Sequence, residues 1–194
     1  MNSKQIMVKP KTFLVHKPFG PFMANIQLPD EILDAFLKLS DDLIEDKKTE
    51  SQGQELAGVI DRELRIYKSD MINYGVDIFL ESCVKSFIMN CLHPRNDFSS
   101  DPLKSNWTIL SKVNSAWVVS QYENEYNPLH NHDFAEISGV FYLKVPDVKG
   151  RRNLQSKKGK PDRDGNIGFS YNAPSEREYD IFDQGGMEIT PSVG

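Results

Sequence analysis

The stretch 127-NPLHNHDFAEISGVFYLKVP-146 decides how the chain is read. His130 and His132 stand two positions apart, Asp133 follows directly, and a run rich in β-branched and aromatic residues comes next. The chain has only 4 histidines in its 194 residues, so two within three positions call for a reason. On an extended strand, residues two apart project to the same face. His130 and His132 then point together, and two imidazoles on one face can reach a single first-row metal ion at about 2.0–2.1 Å. A metal site takes at least a third donor. Asp133, Glu136, His16, His93 and a distant carboxylate are the choices the chain offers. The bland reading is a polar surface turn, with Asp133 starting it.

On both sides of this stretch the texture is strand-like. Before it, WTILSKVNSAWVVSQYEN contains AWVVSQY; within it, GVFYLKV has the same β-branched and aromatic character. Later, NIGFSYNAP and GMEITP read as short strands. Ahead of all these lie two helices. One covers 30–46 (DEILDAFLKLSDDLIED), with Leu33, Phe36, Leu37, Leu43 and Ile44 along one face and Pro29, Asp30 and Glu31 suited to its first turn. The other covers 69–92, with Ser69 as N-cap and a wide apolar stripe from Ile72 to Cys91. Residues 59–67, VIDRELRIY, fit a short strand or a helical turn. TFLVHKPFGPFMANIQL, near the N-terminus, reads as one or two extended segments broken by Pro18, Gly20 and Pro21. The order is helices, then antiparallel-looking strands. That predicts an α+β fold with a mainly β core, a jelly roll buttressed by two N-terminal helices. We take residues 1–194 as one domain, with 1–92 as strand and helical support and 93–194 as a partial jelly-roll core.

Bulk properties narrow the function classes. Hydrophobic residues are 39% and charged residues 26%, which fits a folded globular chain and not a disordered one. The net charge of −5 gives no overall footprint for nucleic acid or an anionic membrane. No apolar run reaches the roughly 18–20 residues of a membrane span, and no secretory signal is visible. Cys83 and Cys91 fall eight apart on the second helix, about 12 Å at 1.5 Å per residue, too far for a disulfide. They read as small apolar residues in a reducing cytosol. The basic run 149–163 could contact an anion, but it lacks interleaved aromatics, so a solvated loop is the favoured reading.

Two known families come into view at the histidine pair. His130-x-His132-x-x-x-Glu136 matches the central spacing of the cupin metal motif, although Asn124 and Leu143 stand where that motif has glycines. The wider context resembles another family more closely. A Trp-bearing strand (SAWVVSQY), a loop with Tyr122, Tyr126 and Pro128, then HNHD, then SGVFYLKVP are together similar to the iron- and 2-oxoglutarate-dependent oxygenases. They resemble in particular a small branch common in phages and marine bacteria. LPDEILDAFLKLSDDL and QELAGVI add supporting texture, so the resemblance runs from about Phe13 onward.

That resemblance implies a double-stranded β-helix, Fe(II), and 2-oxoglutarate as cosubstrate. It implies His130 as the first metal ligand. His132 stands where the family usually has a carboxylate. Either His132 ligates through nitrogen, or Asp133 supplies the carboxylate, or fewer protein ligands are used. Tyr142 matches a tyrosine that contacts the cosubstrate in relatives, and Tyr122 is a second candidate for that role. Loop 149–164 matches the position of a substrate lid. The distal histidine and the cosubstrate-binding arginine of relatives have no counterpart after His132. We expect the jelly roll to be cut before its last strands, leaving sheet edges that must be covered or paired, for example in a homo-oligomer. The implied setting is the cytoplasm, including that of a phage-infected host. The expected partner is a substrate of unknown identity, with no membrane and no nucleic acid. The competing expectations are a non-catalytic jelly-roll module, such as a virion component, and a cupin-like metalloprotein using Glu136.

Overall fold

The fold was analysed on a computed structural model. It describes residues 12–16, 21–46, 48–49, 51–53, 58–92, 109–132, 134–146, 165–170 and 186–194. Its elements run β1 (Thr12–His16), β2 (Met23–Gln27), α1 (Asp30–Glu45), β3 (Arg62–Arg65), α2 (Lys68–Asn73), α3 (Asp77–Leu92), β4 (Trp117–Ser120), β5 (Ile167–Ser170) and β6 (Gly186–Ile189). The architecture is α+β. Among the described residues the strands form short two-stranded sheets, β1 with β2, β3 with β4 and β5 with β6, and no closed double-stranded β-helix. By internal contacts the chain divides into two units, residues 1–16 with 24–139, and residues 17–23 with 140–194.

The first unit holds the helices and the main core. α1 starts at Pro29, whose fixed φ sets the entry and whose carbonyl accepts from the amides of Ile32 and Leu33 at 3.0 and 2.9 Å. Its buried face is Ile32, Phe36, Leu39 and Ser40, spaced four, seven and eight from the first. Of the face predicted from sequence only Phe36 is fully buried; Leu33, Leu37, Leu43 and Ile44 lie half-exposed beside it. The stripe is thus rotated by about one position, because Leu39 and Ser40 are drawn in where the sequence showed a polar–apolar boundary. At the far end of α1, Arg62 of β3 donates to the carbonyl of Ile44 at 3.1 Å. This satisfies a helix end that has no basic residue of its own.

The single helix expected over 69–92 is two helices, so the described chain has three. α2 begins after Tyr67, not at Ser69; the Asp70 carboxylate accepts from the Tyr67 amide at 2.9 Å. It ends at Gly75, whose φ of 73° is left-handed. Gly75 N–H donates to Ile72 O at 3.1 Å, and Val76 N–H donates to Met71 O at 2.9 Å. This pair of bonds is a Schellman stop, with both Met71 and Val76 buried. α3 then restarts at Asp77 and carries Cys83 and Cys91, neither in a disulfide. Burial pushes the Cys83 thiol up to about 11, as suits an inert packing residue. Leu28, Ile32, Phe36, Leu39, Ile60, Leu64, Met71, Val76, Phe79 and Cys83 form the core.

β3 and β4 run antiparallel, with Glu63 opposite Val119 and Arg65 opposite Trp117. β5 and β6 pair antiparallel in the second unit, Ile167 opposite Ile189 and Phe169 opposite Met187. Both were foreseen as strands, and β3 resolves the reading of VIDRELRIY in favour of a strand. The segment GVFYLKV is not a strand. Strand propensity takes effect only where a neighbouring edge supplies ladder bonds. Val140 is 52% exposed, and the Gly194 amide donates to Tyr142 O at 3.0 Å. No helix among the described residues is long and apolar enough to cross a membrane.

Candidate metal centre

The loop that bears the histidine pair is built outward from the β3–β4 ribbon. After β4 the chain turns at residues 122–125, where Glu125 N–H donates to Tyr122 O at 3.1 Å and Asn124 takes a left-handed φ of 69°. The Glu125 carboxylate holds this turn. Oε2 accepts from the Tyr122 amide at 2.6 Å, and Oε1 accepts from the Asp61 amide at 3.0 Å. One residue on, Val59 N–H donates to Tyr126 O at 2.8 Å in an isolated antiparallel bridge. The segment from 58 to 63 is therefore a rail along which residues 119–126 are laid. It delivers Pro128 and the histidines at a fixed place.

His130 and His132 come together as the strand-like spacing predicts. Their Nε2 atoms are 3.0 Å apart, and their rings lie 4.9 Å apart between centroids with planes 18° from parallel. Pro128 O lies 2.7 Å from His130 Nδ1. A carbonyl can only accept, so Nδ1 carries a proton and donates to it, which turns Nε2 toward its partner. Such a bond from the rear nitrogen is the usual support of a metal-ligating histidine. Trp117 of β4 flanks the other imidazole, 5.7 Å from His132 between centroids and tilted by 37°. Both histidines are exposed.

The spacing can be tested against a metal. Two nitrogens about 2.1 Å from one ion and at right angles across it lie about 3 Å apart. The observed 3.0 Å between Nε2 atoms fits that arrangement. The pair therefore has the spacing of two adjacent positions around a first-row ion. Among the described residues no group of three histidine, cysteine, aspartate or glutamate side chains gathers for a metal. Glu136 is exposed and does not join the pair in such a group, so the cupin-like reading finds no support in the geometry. Asp133, His93 and the basic loop 149–163 lie outside the described residues, as does the side chain of His16.

The tyrosines are placed differently from each other. Tyr122 lies in the first unit at the turn after β4 and is 69% exposed, its backbone amide committed to Glu125. Tyr142 belongs to the second unit, where burial pushes its hydroxyl above the ordinary value.

Comparison with known proteins bears on the same region. Residues 115–194 match the family model described as "Putative 2OG-Fe(II) oxygenase". That segment is similar to the 2OG-Fe(II) oxygenase superfamily. It opens two residues before Trp117 and holds β4, both histidines, Tyr142, β5 and β6, while β3 and the helices stand outside it. Proteins of that family use Fe(II) and 2-oxoglutarate, so the match points to that pair of cofactors. No curated protein and no solved structure matches the chain.

Sequence reasoning missed three residues on the ribbon and turn that carry the histidine pair. Trp117 was read as strand texture and not as a ring neighbour of His132. Glu125 drew no reading from the sequence. Glu63, in RELR, was likewise passed over, yet it is 1% exposed. No spacing rule marks any of the three, because strand pairing brings Glu63 and Trp117 onto one ribbon and a hydrogen bond ties Glu125 to Asp61, each across more than 50 residues.

Proposed function

We propose that this chain is an Fe(II)- and 2-oxoglutarate-dependent dioxygenase that hydroxylates its substrate. The observation that carries the reading is the imidazole pair, Nε2 to Nε2 at 3.0 Å, inside the segment that matches the oxygenase family. Fe(II), when bound, supplies the activation of O2, with 2-oxoglutarate giving succinate and CO2 as one oxygen atom enters the substrate. The protein's own part is holding and orienting. His130 and His132 are the metal ligands, and Pro128 O fixes which nitrogen of His130 faces the ion. Trp117 limits rotation of the His132 ring. Asp133 is the family-position neighbour that would add a carboxylate, and Tyr142 and Tyr122 are assigned to the cosubstrate. The test is conversion of 2-oxoglutarate to succinate by the purified protein, followed with and without Fe(II) and with and without O2. Turnover that needs both, and disappears in His130→Ala, is the expected result. Absence of turnover together with absence of stoichiometric iron would sink the reading.

A further inference from the structure

Glu63 is the buried group that the site does not yet account for. It is 1% exposed, and its Oε2 has no hydrogen-bond partner among the described residues. A buried carboxylate oxygen without a partner is costly, and proteins keep one where a positive charge compensates it. The neighbouring arginines on β3 do not supply that charge. Arg62 points to the carbonyl of Ile44 at 3.1 Å, and the guanidinium of Arg65 lies 5.4 Å from the Tyr67 ring centroid. The Ser51–Gly53 turn closes one side of Glu63 without neutralising it. Ser51 Oγ accepts from the Glu63 amide at 3.1 Å, and Gly53 lies against Oε2 with no side chain between.

The strand register shows where this carboxylate faces. Glu63 stands opposite Val119, and Arg65 opposite Trp117. Directly opposed residues, and residues two apart on one strand, share a face. Glu63 and Trp117 are therefore on the same face of the ribbon, and Trp117 is the ring against His132. The electrostatics agree. Burial raises the Glu63 carboxyl above its ordinary range, while the charge of His130 pulls it back down. No third donor gathers with the imidazoles, so Glu63 is not placed as a ligand.

We propose that Glu63 is the counter-charge of the His130–His132 cation site, acting through its buried charge without bonding to the ion. This rests on reading the imidazole pair as a metal site. It goes beyond that reading because Glu63 lies outside the matched oxygenase segment, on a strand contributed by the N-terminal half.

The experiment is titration of the whole chain with Co(II) alone, by calorimetry and visible absorption. The variants are Glu63→Gln, Glu63→Leu, Glu63→Asp and His130→Ala, each checked for folding by circular dichroism. Wild type should bind one Co(II), and His130→Ala should not. Glu63→Gln and Glu63→Leu should each bind about 10- to 100-fold more weakly, the range found when groups outside the ligand set are removed. The absorption bands should keep their shape, and Glu63→Asp should recover most of the affinity. Unchanged affinity in both uncharged variants would overturn the proposal, as would a Glu63→Asp protein as weak as Glu63→Gln. An altered band shape in Glu63→Gln would overturn it by making Glu63 a ligand. Failure of wild type to bind Co(II) would instead remove the metal site itself, and the Glu63 role with it.

Discussion

The α-carbon of Gly53 faces the Oε2 atom of Glu63 so closely that a Cβ at position 53 would stand 3.3 Å from that oxygen and 3.0 Å from the carbonyl of Ile60. The second neighbour is backbone on a buried residue and cannot swing aside. Gly53→Ala should therefore cost about 1–3 kcal/mol of stability, the usual penalty of overpacking, read as a lower denaturation midpoint with unchanged slope.

Glu63 makes stability depend on pH in a defined direction. Its folded carboxyl is raised above 4.5 by burial, so between that value and its folded value the native state holds more protons than the unfolded state. Stability then falls as pH rises through this window, and the cost is fully present above it. Without bound metal, Glu63→Gln should be more stable than wild type at neutral pH by about 1–3 kcal/mol. The difference should close below pH 4.5. Urea unfolding of both proteins across pH 4 to 8 measures it. A constant difference would show that Glu63 is not the titrating group.

Trp117 touches His132 through rings 5.7 Å apart. Replacing it with Leu keeps an apolar side chain on β4 and removes the flat surface beside the imidazole. Co(II) affinity should fall about tenfold, as for other supporting groups around metal ligands. Calorimetric titration of Trp117→Leu beside wild type reads this directly.

Gly75 separates α2 from α3 at a φ of 73°. An alanine there would hold a left-handed conformation at about 1–2 kcal/mol. Thermal unfolding of Gly75→Ala should show a lower midpoint, and helix content should not rise. A rise would mean that α2 and α3 had fused into one continuous helix.

How much of this was legible in the sequence depends on the range of the forces involved. The start of α1 follows from Pro29 and the acidic residues after it, and β5 and β6 from their local composition, because each signal lies within a few positions. The His130–His132 pairing was legible for the same reason, since a spacing of two settles it. Gly75 was visible but was read through, because the apolar stripe on either side continues at helical spacing. The burial of Glu63 was not legible. Its neighbours in sequence are Arg62 and Leu64, which describe an alternating strand and say nothing of what covers it. The strand character of GVFYLKV misled for the opposite reason, since the residues favour a ladder but pair with no strand among the described residues.

The bond from His130 Nδ1 to the carbonyl of Pro128 also determines how the pair exchanges its contents. With that nitrogen committed as a donor, the 3.0 Å contact between the two Nε2 atoms can exist only if one proton lies between them. A divalent ion entering the same space displaces that proton, which the neutral His132 ring can take up again on its Nδ1. Loading is then a change of tautomer in His132, while the Pro128 carbonyl keeps His130 already in its ligating form.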